Sequence, residues 1–103
     1  MVTTVENLDY RDLSEIAKEI NSRLKEDNVI ILFSKLPDRI IYVIAVSESL
    51  VGKGLTAPTI HDKIVEHIQG KGGGKKDYVQ GVARKQPNIE TIREIVSNLI
   101  LKL

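Results

Sequence analysis

Ile40-Ile41-Tyr42-Val43-Ile44-Ala45-Val46 decides how this chain folds. Seven apolar or aromatic residues in a row, rich in β-branched side chains, read as a strand. The near absence of a period of two means that both faces are covered. Such a strand belongs in the middle of a sheet, with helices packed above and below it. Residues 29–33 form a second apolar run just upstream, and Pro37-Asp38 between the two runs presets a turn. Together they make a β-hairpin.

Working outward, the pattern changes from strand to helix and back. Leu13, Ile16, Ala17, Ile20 and Leu24 recur at spacings of three and four, so they share a helix face, with Asp9 placed to cap the first turn. Residues 2–5 are a short β-branched run that reads as a first strand on a sheet edge. Beyond the hairpin, residues 47–55 hold Gly52 and Gly54 and read as a loop. Thr56 or Ala57 then opens a helix with Pro58 in its first turn and Ile60, Ile64 and Ile68 as its buried stripe. Residues 70–76 read as a glycine loop, because each glycine inside a helix costs about 1 kcal/mol relative to alanine. Residues 78–84 return as a strand. Pro87 suits a first helical position, and Ile89, Ile92, Val96, Leu99 and Leu103 carry a last helix to the end. The expected fold is α/β (α+β), a small mixed sheet of about four strands with helices packed on it, in the order β-α-β-β-α-glycine loop-β-α.

A chain of 103 residues suits one domain spanning 1–103. Apolar residues make up 42% and charged ones 28%, the balance of a globular chain rather than a disordered one. With only Phe33, Tyr10, Tyr42 and Tyr78 as aromatics, the core must be aliphatic. The absence of cysteine removes disulfides, thiolate catalysis and cysteine-based zinc sites, and suits a reducing compartment. No run approaches the roughly 18 apolar residues of a membrane span, so a cytoplasmic location without membrane partners is expected.

The net charge of +1 gives no global field, but its distribution is uneven. Lys71, Lys75, Lys76, Arg84 and Lys85 face the single acid Asp77 within residues 70–85, which gives 5 − 1 = +4 there and 1 − 4 = −3 elsewhere. Gly72, Gly73 and Gly74 lie inside this basic segment. Successive glycines permit positive φ and close approach, so consecutive N–H groups can turn toward an anion while flanking lysines attract it. Phosphate oxygens of a nucleic-acid backbone fit that chemistry, and a solvated flexible loop is the plain alternative. A Walker A loop is excluded because the G-x-x-x-x-G-K-[ST] order is missing.

Gly72-Gly73-Gly74-Lys75-Lys76-Asp77-Tyr78-Val79-Gln80-Gly81 resembles the polyglycine signature in the C-terminal domain of alanyl-tRNA synthetases. In that family glycines precede a basic residue, an acid, and then a glutamine and small-residue run; Lys75, Asp77, Gln80 and Gly81 fit those places. The likeness in element order covers nearly the whole chain. Lys71 interrupts the glycines, however, and Val82-Ala83 stands where many members keep glycines. The resemblance implies a module that binds tRNA(Ala) at its outer corner and links aminoacylation and editing alongside other domains of a parent synthetase. It also implies that this chain alone is no enzyme and needs no cofactor of its own, ATP and zinc belonging to domains absent here. Its contacts would come from Lys71, Gly72, Gly73, Gly74, Lys75 and Lys76, with Tyr78, Gln80, Arg84 and Lys53 adding to them. The domain is similar, too, to one attached to DHH phosphoesterases, where a histidine that holds the substrate phosphate follows the glycines. Lys75 occupies that place, and the Asp-His-His motif is missing.

Other candidates for chemistry are weaker. His61 and His67 stand about 240° apart on a helix and cannot form an i, i+4 metal pair. His67 is expected at the core boundary and His61 in solvent. Asp62 and Glu66 share a wet helix face. Ser47 and Ser49 have no histidine nearby in sequence, so catalytic and metal-binding residues are expected to be absent. Lys53 reaches the glycine segment's anion or is an ordinary loop lysine, and Tyr78 stacks on a base or sits in the core. The last helix offers a stripe for a homodimer, although four turns are short for an independent coiled coil.

Overall fold

The computed structural model describes residues 1–103. Nine elements follow one another: β1 (Val2–Glu6), α1 (Tyr10–Arg23), β2 (Val29–Lys35), β3 (Ile40–Val46), α2 (Glu48–Gly52), α3 (Ala57–Ile68), β4 (Gly70–Lys75), β5 (Tyr78–Ala83) and α4 (Ile89–Leu101). The five strands form one mixed sheet in the order β1-β2-β3-β5-β4. β1 runs parallel to β2, and every other pairing is antiparallel. β3 occupies the centre, as its unbroken apolar run requires.

Alternation along β3 sends its side chains into two separate cores. Ile41, Val43 and Ala45 join Ile30 and Leu32 beneath Leu13 and Ala17 of α1. Tyr42 and Ile44 join Ile31, Phe33 and Val79 beneath Ile60, Ile64 and Ile68 of α3 and Ile92 and Val96 of α4. Each buried aliphatic side chain contributes about 1.5–3 kcal/mol relative to exposure, so a strand with two covered faces supplies twice what an alternating one could.

Caps set the helix ends. Asp9 accepts the Asp12 N–H at 3.0 Å, Thr56 the Thr59 N–H and Asn88 the Thr91 N–H. Asn88 as cap places Pro87 just outside α4 rather than at its first position. The segment expected as a plain loop after β3 contains the short helix α2. At the edge of its stripe Ile16 is 39% exposed, and Leu24 and Leu103 lie beyond their helices and in solvent. No helix is long and apolar enough to cross a membrane.

The largest departure from expectation is the glycine segment, which is the fifth strand and not a loop. Its residues pair in register with β5: Gly70 with Ala83, Gly72 with Gly81, Gly74 with Val79. Glycine's low strand propensity argues against this locally, but β5 supplies a ladder that propensity cannot anticipate. None of Gly70, Gly72, Gly73 and Gly74 has positive φ, so the consecutive anion-cradling N–H groups do not form; in an extended strand successive N–H groups point in opposite directions.

The two histidines exchange the places expected of them. His61 is buried on α3, between Ala57 and Ile64 on the stripe, whereas His67 is exposed. The buried stripe is wider than its isoleucines indicate, because Ala57 belongs to it. His61 Nε2 lies 2.5 Å from the Tyr42 hydroxyl, and the two rings are tilted with centroids 5.6 Å apart. Burial pushes the Tyr42 phenol up to about 12, with Tyr10 adding to the rise, and pulls the His61 imidazole down, Asp62 working against the fall.

His61 is therefore neutral in the fold and more readily protonated when unfolded, so the unfolded state binds more protons as pH falls through the ordinary histidine range near 6.5. The contribution of His61 to stability should be constant above that range and decrease below it. Urea midpoints at pH 7.5 and 5.5 check this: the wild type should lose stability at the lower pH, and His61→Gln should lose much less. Tyr42→Phe, which strands the imidazole without its partner, should cost about 1–3 kcal/mol at pH 7.5.

Candidate nucleic-acid interface

Helix coverage of the sheet is unequal. On one side α3 lies over β3, β5 and β4, and α4 packs beside it over β1. On the other side α1 is the sole helix and lies over β2 and β3. The β5–β4 half of that side is left bare, and the register of the hairpin determines which residues face outward there.

Paired residues of an antiparallel ladder project to the same face. Val82 and Tyr78 pack at the margin of the α1 core, so their partners Lys71 and Lys75 share the bare side, with Gly73 beside Gln80 between them. Lys71, Lys75 and Gln80 are exposed, and Tyr78 is half-buried. Four residues of strand separate Lys71 from Lys75 by about 13 Å at roughly 3.3 Å per residue. No carboxylate interrupts these rows.

Gly73 is what keeps the surface flat: a Cβ there would meet nothing within 4 Å. Gly72 and Gly74 have the opposite reason for being glycine, and they do not belong to the open face. A Cβ on Gly72 would run into the Gln80 carbonyl oxygen, and one on Gly74 into the Tyr78 carbonyl oxygen. Gly70 and Gly81 serve the buried side in a third way, each leaving room for the Tyr42 hydroxyl, which an added Cβ would approach to 2.6 and 2.5 Å. The glycines thus allow close strand approach on one side and a smooth surface on the other.

The margin of the bare face is built by α1. Tyr10 donates its hydroxyl proton to the Gly81 carbonyl oxygen at 2.7 Å, which fixes the helix against β5. Lys18 Nζ lies 4.7 Å from the centre of the Tyr78 ring, within cation–π range. The Tyr78 hydroxyl in turn donates to Gln80 Oε1 at 3.1 Å. Burial raises the Tyr10 and Tyr78 phenols, opposed by Arg39 at Tyr10 and by Ser14 at Tyr78. Tyr78 is therefore a half-buried residue at the margin of the α1 core, with Lys18 over one face of its ring.

Lys76 lies in the turn, where its carbonyl oxygen accepts the Ala57 N–H at 2.7 Å and the neighbouring Asp77 carbonyl oxygen accepts the Val46 N–H at 2.9 Å. These bonds leave the Lys76 side chain exposed on an anchored backbone. Arg84 stands exposed at the opposite end of the hairpin, its backbone N–H shared between the Ile68 and Gln69 carbonyls. Lys53 is engaged elsewhere: its ammonium donates to Asp27 Oδ2 at 2.5 Å, and this bond, with help from Ser49, holds the Asp27 carboxyl below its usual range. Ser47 Oγ accepts the Asn28 N–H at 3.1 Å, a structural bond between two loops.

The fold gathers Lys71, Gly73, Lys75, Tyr78 and Gln80 on one surface, with Lys76 and Arg84 at its two ends. Gly72 and Gly74 fall on the reverse, and Lys53 is tied to Asp27. Lys18 and Tyr10 were not legible as site residues, because helical spacing identifies only which face of α1 is buried and not which strand it overhangs. The four side-chain ion pairs, Arg11–Glu15, Arg23–Glu19, Lys53–Asp27 and Arg93–Glu90, all lie off the hairpin. The hairpin's cations are thus left to solvent or to a ligand. No group of three or more His, Asp or Glu side chains is arranged to hold a metal ion.

A five-stranded mixed sheet with a glycine edge strand, a basic uncovered half-face and helices divided between its sides defines a small α+β domain. The DHHA1 domain family matches residues 1–102, and the chain belongs to that family. It is 32% identical over 89 residues to an alanine–tRNA ligase of Thermotoga maritima, which covers 86% of this chain and 10% of the ligase. An alanine–tRNA ligase of Leptospira borgpetersenii is 38% identical over 72 residues, covering 69% of this chain and 8% of the ligase. The chain thus spans about a tenth of the length of these relatives. Among solved structures, the C-Ala domain from Aquifex aeolicus alanyl-tRNA synthetase superposes with a TM-score of 0.81 at 23% identity, covering 94% of this chain and 86% of that one. At that identity the likeness is one of fold.

Alanine substitutions separate the roles of the glycines. Gly73→Ala should change stability by no more than about 1 kcal/mol, because the methyl group meets open space and the unfolded chain loses freedom. Gly74→Ala should destabilise by more than that and loosen β4 from β5. Urea denaturation gives the first comparison; amide exchange along residues 70–75 gives the second.

Proposed function

We propose that this domain is the tRNA-binding module of an alanine–tRNA ligase, with the bare half of the sheet as its RNA surface. The observation that carries the reading is the hairpin face itself: Lys71, Lys75 and Gln80 exposed in register on a surface that Gly73 keeps flat, bordered by Lys18 and free of acids. Lysines spaced along a strand suit successive phosphates, which fix position without reading sequence. Gln80 is the neutral group able to accept from or donate to a sugar hydroxyl or a base edge. The alanine–tRNA ligase relatives support tRNA(Ala) as the RNA, and the resemblance to the C-terminal domain of alanyl-tRNA synthetases implies its outer corner as the part that is held. Holding that corner would let one module serve both charging and editing by its parent's other domains.

Lys18 over one face of the Tyr78 ring leaves this surface with little room for successive bases to stack, which favours folded RNA over a single strand. Titration of the chain with tRNA(Ala), a second tRNA and single-stranded DNA of equal charge should give the order tRNA(Ala), other tRNA, DNA. Replacing Lys71, Lys75 and Lys76 together by alanine should weaken tRNA binding and flatten the plot of log affinity against log salt by about 2 to 3, since each lost phosphate contact removes roughly 0.7 to 0.9. An unchanged slope would remove the hairpin from the interface.

A further inference from the structure

The basic surface does not end at the hairpin but turns round the end of the sheet, where Lys35, two residues beyond Phe33 on β2, belongs to the α3 side. At the end of the sheet away from the Lys75–Lys76 turn, a depression of about 520 Å³ opens between the β2–β3 turn and the end of β5, lined by Lys35, Arg39 and Arg84 with Asp38 as its one acid. A neighbouring depression of about 490 Å³ is lined by Gln69, Lys71 and Arg84. Val82 and Arg84 line both, so the two depressions adjoin at the end of β5 and together make up a basic groove that reaches Lys71 on the hairpin.

Lys35, Arg39, Lys71 and Arg84 against Asp38 give this groove 4 − 1 = +3. None of the four cations takes part in an ion pair, although the chain pairs four other cations elsewhere. Glu6 stands beside Lys35 in the β1–β2 register and is not bonded to it. Like charges repel when they stand within a Debye length of about 8 Å, so a bound anion would relieve an unpaired cluster of this kind.

The backbone holds these cations in place. The Leu36 N–H donates to the Arg39 carbonyl at 2.8 Å and closes the β2–β3 turn, while the Arg84 and Lys85 N–H groups bond to the end of α3. Both guanidiniums therefore project from hydrogen-bonded chain. Arg39 also lies close enough to Tyr10 to act on its phenol. Gln69 adds an amide from a left-handed backbone, φ 47°, where glycine would be the unstrained choice. Arginines in a groove match phosphate geometry with two parallel N–H donors, which lysines cannot do.

We propose that this groove is a second phosphate-binding site, in which Arg39, Arg84 and Lys35 take the sugar–phosphate backbone of the same folded RNA as it leaves the hairpin face past Lys71. The inference rests on the RNA-binding reading and extends it to residues at the end of β2 and in the β2–β3 turn, which carry no glycine signature. The contact runs along the sheet from the Lys75–Lys76 turn to the Lys35–Arg39 corner, longer than the hairpin alone provides.

Two double variants of the full chain test this, with tRNA(Ala) as the probe and binding read by fluorescence anisotropy across a salt series. Lys35→Ala with Arg39→Ala should weaken binding severalfold at 0.15 M salt and reduce the salt slope by about 1.4 to 1.8, twice the loss per phosphate contact. Arg39→Lys alone should keep most of the slope yet lose affinity, because charge is preserved and the two-donor geometry is not. Matching urea midpoints would exclude misfolding as the cause. If Lys35→Ala with Arg39→Ala leaves affinity and slope as in the wild type while Lys75→Ala with Lys76→Ala lowers both, the groove is idle and the hairpin reading stands. If neither pair alters binding, or tRNA does not bind at all, the RNA reading fails and the groove proposal fails with it.

Discussion

The Tyr42 hydroxyl, reaching from the larger core, sits 2.5 Å from His61 Nε2, and several elements meet around that contact. A phenol and an imidazole buried together are tolerable because each satisfies the other; separated, either would carry the full cost of desolvation. Their meeting requires the Tyr42 side chain to cross β5 toward β4 and α3, and glycine at 81 and 70 is what leaves it room. The bond thus couples the central strand, the glycine hairpin and α3. It also accounts for two of the glycines in the basic segment without appeal to any ligand, so the glycine content of the hairpin is partly a packing requirement.

The surface on the other side of the same hairpin follows from a mismatch of coverage. α3 and α4 cover one side of five strands, while α1, the sole helix opposite them, covers two. An uncovered half-sheet normally carries apolar side chains that must be hidden or polar ones that must be solvated. Here alternation delivers lysines, a glycine and a glutamine to that surface, with Tyr10 and Lys18 of α1 closing the margin. Exposed cations kept out of ion pairs make it attractive to a polyanion, and a pinned backbone means that little ordering is needed on binding.

Much of this was legible in the residues, and the misses share a cause. The central strand, its hairpin partner, the helix stripes and the caps at Asp9 and Thr56 were readable because each depends on neighbours within a few positions. The glycine strand was not: without side chains it has no periodicity, and its pairing with β5 is a matter of backbone hydrogen bonds across the Lys76-Asp77 turn. His61 was misplaced for a related reason. Ile60, Ile64 and Ile68 define a stripe but not its width, and only the position of Tyr42 on the facing strand makes the His61 side worth burying.

The sequence by itself determined that a buried strand would stand at the centre of a mixed sheet with helices on both sides. It also determined that positive charge would gather around a glycine segment resembling that of alanyl-tRNA synthetases. Tertiary structure alone decided that this segment is an edge strand, that Lys71, Lys75 and Gln80 look outward together while Gly72 and Gly74 press against β5, that Lys18 borders them from α1, and that Arg39 and Lys35 stand at the adjoining end of the sheet. The reason is physical: apolar period and charge composition are properties of adjacent residues, whereas a surface is made by strand register and helix coverage, which depend on contacts between residues far apart in the chain.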